Sequence, residues 1–209
     1  LTEHARRYLI NEGIKPEMII KTGSPMKEIL NHYSSKIDNS EIMKSLNLDI
    51  DNYFLVSAHR EENIDSDNNF NCLLESLLEI VEVFNKKVIV STHPRMMKKL
   101  KGMKLINQNE HVLFLKPMGF FDYVKLEKHA FCVLSDSGTI TEESSILNFP
   151  AIMIREAHER PEGMDEGTLI MSGLYKDEVI DAIRVVKSFD YTSRKFNIVD
   201  DYDVDNFSK

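Results

Sequence analysis

The amino-acid sequence predicts an α/β fold, a parallel sheet with helices on both faces. Three observations carry the prediction. The apolar pattern switches repeatedly between short strand-like runs and segments with helical spacing. The connections between them are short, as right-handed strand–helix–strand crossovers require. The unusual polar clusters all follow apolar runs, at the carboxyl edge where open parallel sheets bind ligands.

Residues 2–11 predict a helix that stops at Gly13, and residues 18–21 a short strand. Residues 22–25 predict a turn with Ser24 as N-cap and Pro25 at the first helical position. A polar connector over 36–40 and a short helix over 41–46 follow. The regular part begins with a strand at 53–57. Phe70, Leu73, Leu74, Leu77, Leu78, Val81 and Phe84 then repeat at helical spacing, giving one apolar face about four turns long. Strands at 88–91, 112–115, 131–134, 151–154 and 169–171 alternate with helices at 94–103, 120–129, from Thr139 onward, and at 176–187. Residues 155–167 predict a long polar loop. The tail over 188–209 is acidic and without apolar period, so any partner surface it has is expected outside this chain.

With 209 residues, the chain is long enough to bury a core of its own. A net charge of −8 and a pI near 5.4 argue against a nucleic-acid surface. No apolar run reaches the ~18 residues of a membrane span. Cys72 and Cys132 sit among apolar residues without ligand or redox spacing. They predict reduced, buried thiols and a cytoplasmic setting. The chain opens on Leu1 inside a predicted helix and reads as a fragment.

The segment Ser135-Asp-Ser-Gly-Thr-Ile-Thr-Glu-Glu-Ser144 joins an apolar strand to an amphipathic helix through a small, hydroxyl-bearing turn. Ser137 and Gly138 let a backbone pass close to a ligand, and free amides at the helix start suit a diphosphate. Glu142 and Glu143 offer carboxylates that can accept from ribose hydroxyls. Three further clusters fall at the same edge: Ala58-His-Arg-Glu-Glu-Asn63, Thr92-His-Pro-Arg95 and Arg155-Glu-Ala-His-Glu-Arg-Pro-Glu162. Four loops thus predict one nucleotide-diphosphate site. His59 can donate to a diphosphate or a leaving oxygen, and Arg60 can neutralise phosphate or hold an acid.

Plainer readings stand beside these. His59 and Arg60 can simply end a strand in solvent, and His93 can merely start a helix. Thr139 to Glu142 fit a capping box, which makes Glu142 structural and leaves the ligand role to Glu143. Met118 and Tyr123 read equally as packing residues or as a lining for a flat base. Lys98, Lys99, Lys101 and Lys104 read as a solvated helix face. No metal-ligand spacing or Gly-x-Gly-x-x-Gly appears.

The four motifs, in this order, closely resemble the non-hydrolysing UDP-N-acetylglucosamine 2-epimerase family. The wording of Thr22-Gly-Ser-Pro-Met26, Ser57-Ala-His-Arg-Glu-Glu-Asn63 and Ile154-Arg-Glu-Ala-His-Glu-Arg-Pro-Glu-Gly-Met164 looks most like its bacterial branch that makes UDP-N-acetyl-L-fucosamine for capsule and O-antigen. The resemblance implies the carboxy-terminal half of a two-domain fold of the glycosyltransferase-B type. Residues 1–24 would then be a helix and connector from a missing amino-terminal domain. Residues 25–187 would form the UDP-binding Rossmann-like domain, and residues 188–209 a tail.

The resemblance further implies His59 as a catalytic residue at the diphosphate. It implies Ser137, Gly138 and Thr139 as the phosphate turn, Glu143 as the ribose acid, and Met118 and Tyr123 as flanks of the uracil. Arg60, His93, Arg155, Glu159 and Arg160 become candidates for the substrate loop. Thr139 and Thr141 depart from the family's usual Gly and Gln. The implied reaction inverts C2 by eliminating and re-adding UDP, with no cofactor and no metal. The implied partners are a UDP-sugar, the missing domain and, at full length, a second copy, with no nucleic acid and no membrane. The fragment alone is expected to be inactive. A glycosyltransferase donor domain and a non-catalytic nucleotide-binding domain are the alternatives.

Overall fold

The computed structural model describes residues 1–101, 109–155, 162–165, 169–188 and 198–208. Helix α1 (Glu3–Asn11) starts where the Thr2 hydroxyl accepts the Ala5 amide at 3.2 Å. Three short helices follow, α2 (Met26–His32), α3 (Ser34–Asp38) and α4 (Ile42–Ser45). The parallel core then runs β1 (Tyr53–Ser57), α5 (Glu61–Ile64), α6 (Asp67–Phe84), β2 (Lys87–Ser91), α7 (Pro94–Leu100), β3 (Val112–Leu115), α8 (Phe120–His129) and β4 (Cys132–Ser135). It closes with α9 (Ile140–Leu147), β5 (Ala151–Ile154), α10 (Glu162–Asp165), β6 (Leu169–Ser172) and α11 (Lys176–Ser188).

The six strands are parallel, in the order β3-β2-β1-β4-β5-β6. Alternate residues of each strand face opposite sides, so the sheet feeds two cores. Phe54, Val56, Val88, Val90, Cys132 and Leu134 pack against α6, α7 and α11. Tyr53, Leu55, Ile89, Val133, Ala151 and Met153 pack against α8 and α9. A smaller outer cluster seats Leu30 of α2 and Ile37 of α3 on Val124 of α8. This is the predicted Rossmann-like architecture. Among the described residues, no helix is long and apolar enough to cross a membrane.

The structure differs from the sequence expectation in several places. Residues 18–21 form no strand, because Pro16 opens a 3₁₀ turn (Pro16–Met18) whose local bonds win, and Met18 and Ile20 stay 73% and 85% exposed. Helix α2 begins one residue after Pro25, although the Ser24 hydroxyl still accepts the Met26 amide at 3.1 Å. Helix α3 occupies part of the expected 36–40 connector, and α5 was not predicted because four residues are too few to show a period. Helix α10 lies within the expected 155–167 loop.

The tail differs most. Val199 and Tyr202, three residues apart on a single 3₁₀ turn, are buried in this chain, where that turn is too short to leave a periodic signal. The Tyr202 hydroxyl donates to Glu162 at 2.8 Å, and the Val199 amide donates to the Ser145 hydroxyl at 3.1 Å. Asp201 then ties down the amino-terminal segment. Its carboxylate accepts from the Glu3 amide at 2.8 Å and from Lys21 at 2.6 Å, and its carbonyl accepts from the Ser24 amide at 3.0 Å. Gly23 permits this closeness: its φ is +77°, and a Cβ there would lie 2.4 Å from Val204.

Candidate nucleotide site

The strand order reverses between β1 and β4, which are adjacent in the sheet although β2 and β3 separate them in the chain. Ser57 and Ser135 are register partners at the carboxyl ends of these strands. The loops leaving them bound the crevice position at which such sheets bind ligands. The loops carrying His59 and Ser137 flank it.

Asp136 holds the two loops together. It is fully buried, and its own amide donates to the Ser57 carbonyl at 3.1 Å. One carboxylate oxygen accepts the backbone amides of His59 and Arg60, each at 2.9 Å, and the Asn63 side-chain amide at 3.1 Å. The other lies 3.3 Å from Nδ1 of His59, an ion-pair distance without an aligned hydrogen bond. Arg60 Nε donates to the Asp136 carbonyl at 3.0 Å. Three donors on one buried carboxylate oxygen offset its desolvation and fix the turn that presents His59, whose side chain is 46% exposed. The sequence reading overlooked Asp136 and Asn63 as organisers; a lone acid between two serines at a strand end was the available signal.

Arg155, after β5, is joined to the same group. Its side chain is 4% exposed and its Nε lies 3.4 Å from Glu62 of α5, while Asn63 reaches the Ile154 carbonyl at 3.4 Å. His93 stands apart as the N-cap of α7, where its Nδ1 accepts the Arg95 amide at 3.4 Å, as the helix-start reading anticipated. Glu159 and Arg160 lie outside the described residues, as does Lys104. Lys99 corrects the solvated-face expectation: its ammonium donates to the Ile64 carbonyl at 2.7 Å, pairs with Asp67 and sits 4.9 Å from the centre of the Phe70 ring.

The turn between β4 and α9 is held by its own hydroxyls. The Ser137 amide donates to Ser135 Oγ at 3.1 Å, and the Ser137 and Thr139 hydroxyls bond at 2.9 Å. Thr139 makes no side-chain cap, so the expected capping box with Glu142 does not form. Thr139 has helical backbone angles, which turn its hydroxyl away from the N3 amide. Glu142 instead bonds the buried Ser24 hydroxyl, linking α9 to the amino-terminal connector. Its role is structural, by a different contact.

Met118 and Tyr123 pack against the apolar layer on the α8 side of the sheet. The Tyr123 hydroxyl faces Ser57. Behind it, Glu127 of α8 is fully buried and meets Glu143 of α9. Burial, then the neighbouring Glu143, pushes Glu127 well above the usual carboxyl range. Burial likewise pushes Glu143 up to about 7, opposed by hydrogen bonds from Glu127 and Thr139. Burial raises Tyr123 too, helped by Glu127 and Glu143. Glu127 was missed by sequence reading; it stands four residues after Tyr123, on the same helix face.

The sequence pattern of the family described as UDP-N-acetylglucosamine 2-epimerase matches residues 1–206. A curated UDP-N-acetylglucosamine 2-epimerase of Methanocaldococcus jannaschii is 33% identical over 191 residues, covering 88% of this chain and 52% of that protein. A solved UDP-N-acetylglucosamine 2-epimerase from Rickettsia bellii is 47% identical, with TM-score 0.91 over 99% of this chain and 55% of that one. The Methanocaldococcus jannaschii UDP-GlcNAc 2-epimerase solved in complex with UDP-GlcNAc and UDP is 30% identical, with TM-score 0.84, covering 96% of this chain and 57% of that one. The chain therefore spans about half the length of the relatives it matches.

Proposed function

The chain belongs to the UDP-N-acetylglucosamine 2-epimerase family, and we propose that it forms the UDP-holding part of an enzyme that inverts C2 of a UDP-N-acetyl-hexosamine. The observation that carries this reading is the strand-order reversal between β1 and β4, where Asp136 fastens the His59 loop to the Ser137 turn. The diphosphate would lie across that crevice. Amides at the start of α9 would take one phosphate, His59 would donate to the other, and Glu143 would accept from the ribose.

In the reaction, a base removes the C2 proton and the C1–oxygen bond to UDP breaks, leaving a 2-acetamidoglycal. UDP then re-adds at C1 while a proton is delivered to the opposite face of C2. What these residues supply is stabilisation of UDP as it leaves. The groups that exchange the C2 proton belong to the rest of the protein on this reading, which makes the chain by itself inactive. The fucosamine product is the finer part of the proposal and rests on the wording of the Thr22, Ser57 and Ile154 motifs.

The complete enzyme turned over in deuterated water should give product carrying deuterium at C2. Product with unlabelled C2 would sink the epimerase reading. UDP calorimetry on Ser137→Tyr tests the crevice: the bulky ring should abolish binding seen with the parent, and unaltered affinity would place the nucleotide elsewhere.

A further inference from the structure

Glu127 is an acid that the nucleotide reading leaves unused. Its side chain is fully buried, and no group aligns to hydrogen-bond either carboxyl oxygen as an ordinary donor. The group that meets it is another carboxyl, that of Glu143. Two buried carboxylates cannot both stay ionised in contact, whereas one proton between them converts repulsion into a charge-assisted hydrogen bond. The other ionisable group facing the pair is Tyr123, from the same helix as Glu127, which in turn feels Asp136 from the loop after β4. Among the described residues, no Lys, Arg or His forms an ion pair with either acid. The proton must therefore serve the pair. The complete burial of Glu127 makes it the donor, and Glu143, which Thr139 also helps to hold ionised, the acceptor.

We propose that Glu127 is a positioning residue for nucleotide recognition: its hydrogen bond across the buried contact holds Glu143 ionised and aimed at the vicinal hydroxyls of a ribonucleoside diphosphate, so that the site selects ribose over 2′-deoxyribose. This rests on the nucleotide reading above. A carboxylate held from behind by one donor keeps its remaining lone pairs for a diol, and a ligand without the 2′-hydroxyl leaves one of them unpaired in a dry site. Glu127 touches no ligand in this scheme. It acts through Glu143.

Calorimetry of UDP and 2′-deoxy-UDP on the full chain, between about pH 5.5 and about pH 8.5, tests this, because both ligands carry the same titrating diphosphate and the affinity ratio isolates the diol. The parent should prefer UDP by about tenfold at high pH, and the preference should fade as Glu143 takes up a proton. Glu127→Gln, whose neutral amide still donates, should keep both the preference at high pH and the pH at which it fades. Glu127→Leu should lose it throughout. Loss of the preference in Glu127→Gln, or parent-like preference in Glu127→Leu, overturns the role of Glu127. UDP bound without any preference over 2′-deoxy-UDP does so too, but leaves the nucleotide site standing. Failure of every form to bind UDP removes the site itself.

Discussion

At the residue scale, the site depends on acids that have left water. Asp136 accepts from three donors through one oxygen, so removing its charge and removing its shape have different consequences. Asp136→Asn should keep the two backbone contacts to the 58–63 loop and lose the His59 ion pair, with modest loss of stability. Asp136→Ala strands three donors, the buried Asn63 amide and two part-buried backbone amides, and should cost about 2–4 kcal/mol, read by urea denaturation. Equal destabilisation by both would show that the ion pair, not the amide contacts, holds the loop.

The buried pair works in the opposite sense. Glu127 and Glu143 are raised above the unfolded carboxyl value of 4.5. Their folded forms bind more protons than the unfolded chain, so the associated stability is present below that value and is lost as pH rises through the folded values, about 7 for Glu143. Glu127→Gln removes one of the two titrations. Its stability should fall less than the parent's between about pH 5 and about pH 8. Parallel profiles would contradict the pairing. Burial lowers His129, which favours the folded state as pH rises, but this contribution is common to both proteins and cancels in the difference.

At the scale of elements, the ends of helices decide where loops leave the sheet. Asn85 ends α6 at φ +50°, and Asn148 ends α9 at φ +55°. This left-handed region costs an L-residue with a Cβ roughly 1–2 kcal/mol, and Asn or Gly tolerates it best. Asn85→Ala should therefore destabilise by about 1 kcal/mol, while Asn85→Gly should be nearly neutral, as thermal unfolding can show. The long elements were legible for an equally local reason. Helix α6 keeps its apolar period for 18 residues, and β1, β2, β4 and β5 each hold a run of three or four consecutive apolar residues. Helices α5 and α10, four residues each, carry no period to read.

At the scale of the whole molecule, the two ends of the chain close on each other beside α9. Tyr202 is fully buried against Glu162, Asp201 binds Glu3, Lys21 and Ser24, and Ser24 passes the link to Glu142. Tyr202→Ala should cost about 3–5 kcal/mol by analogy with other large buried aromatic truncations. It should also raise proteolytic cleavage around Ile19 and Ile20, because the segment they belong to loses its anchor. Protection equal to the parent's would show that the tail is not what secures the amino-terminal segment.

By itself the sequence determined the fold class, the order of the six sheet strands and the longer helices between them, and the motifs that end them, because helix period, strand alternation and turn residues are local properties. It also pointed to loops that the fold brings to one edge, since His59, Arg60, Arg155 and the Ser137 turn all leave the carboxyl edge of the sheet. The tertiary structure alone decided how those residues share labour. Only the pairing of β1 with β4 brings Asp136 under His59, only the seating of α8 and α9 on one face of the sheet sets Glu127 against Glu143, and only the return of the tail gives Glu142 its partner Ser24 in a fixed place. In each case a buried charge takes its meaning from a neighbour distant in sequence, and such contacts leave no periodic trace in the chain.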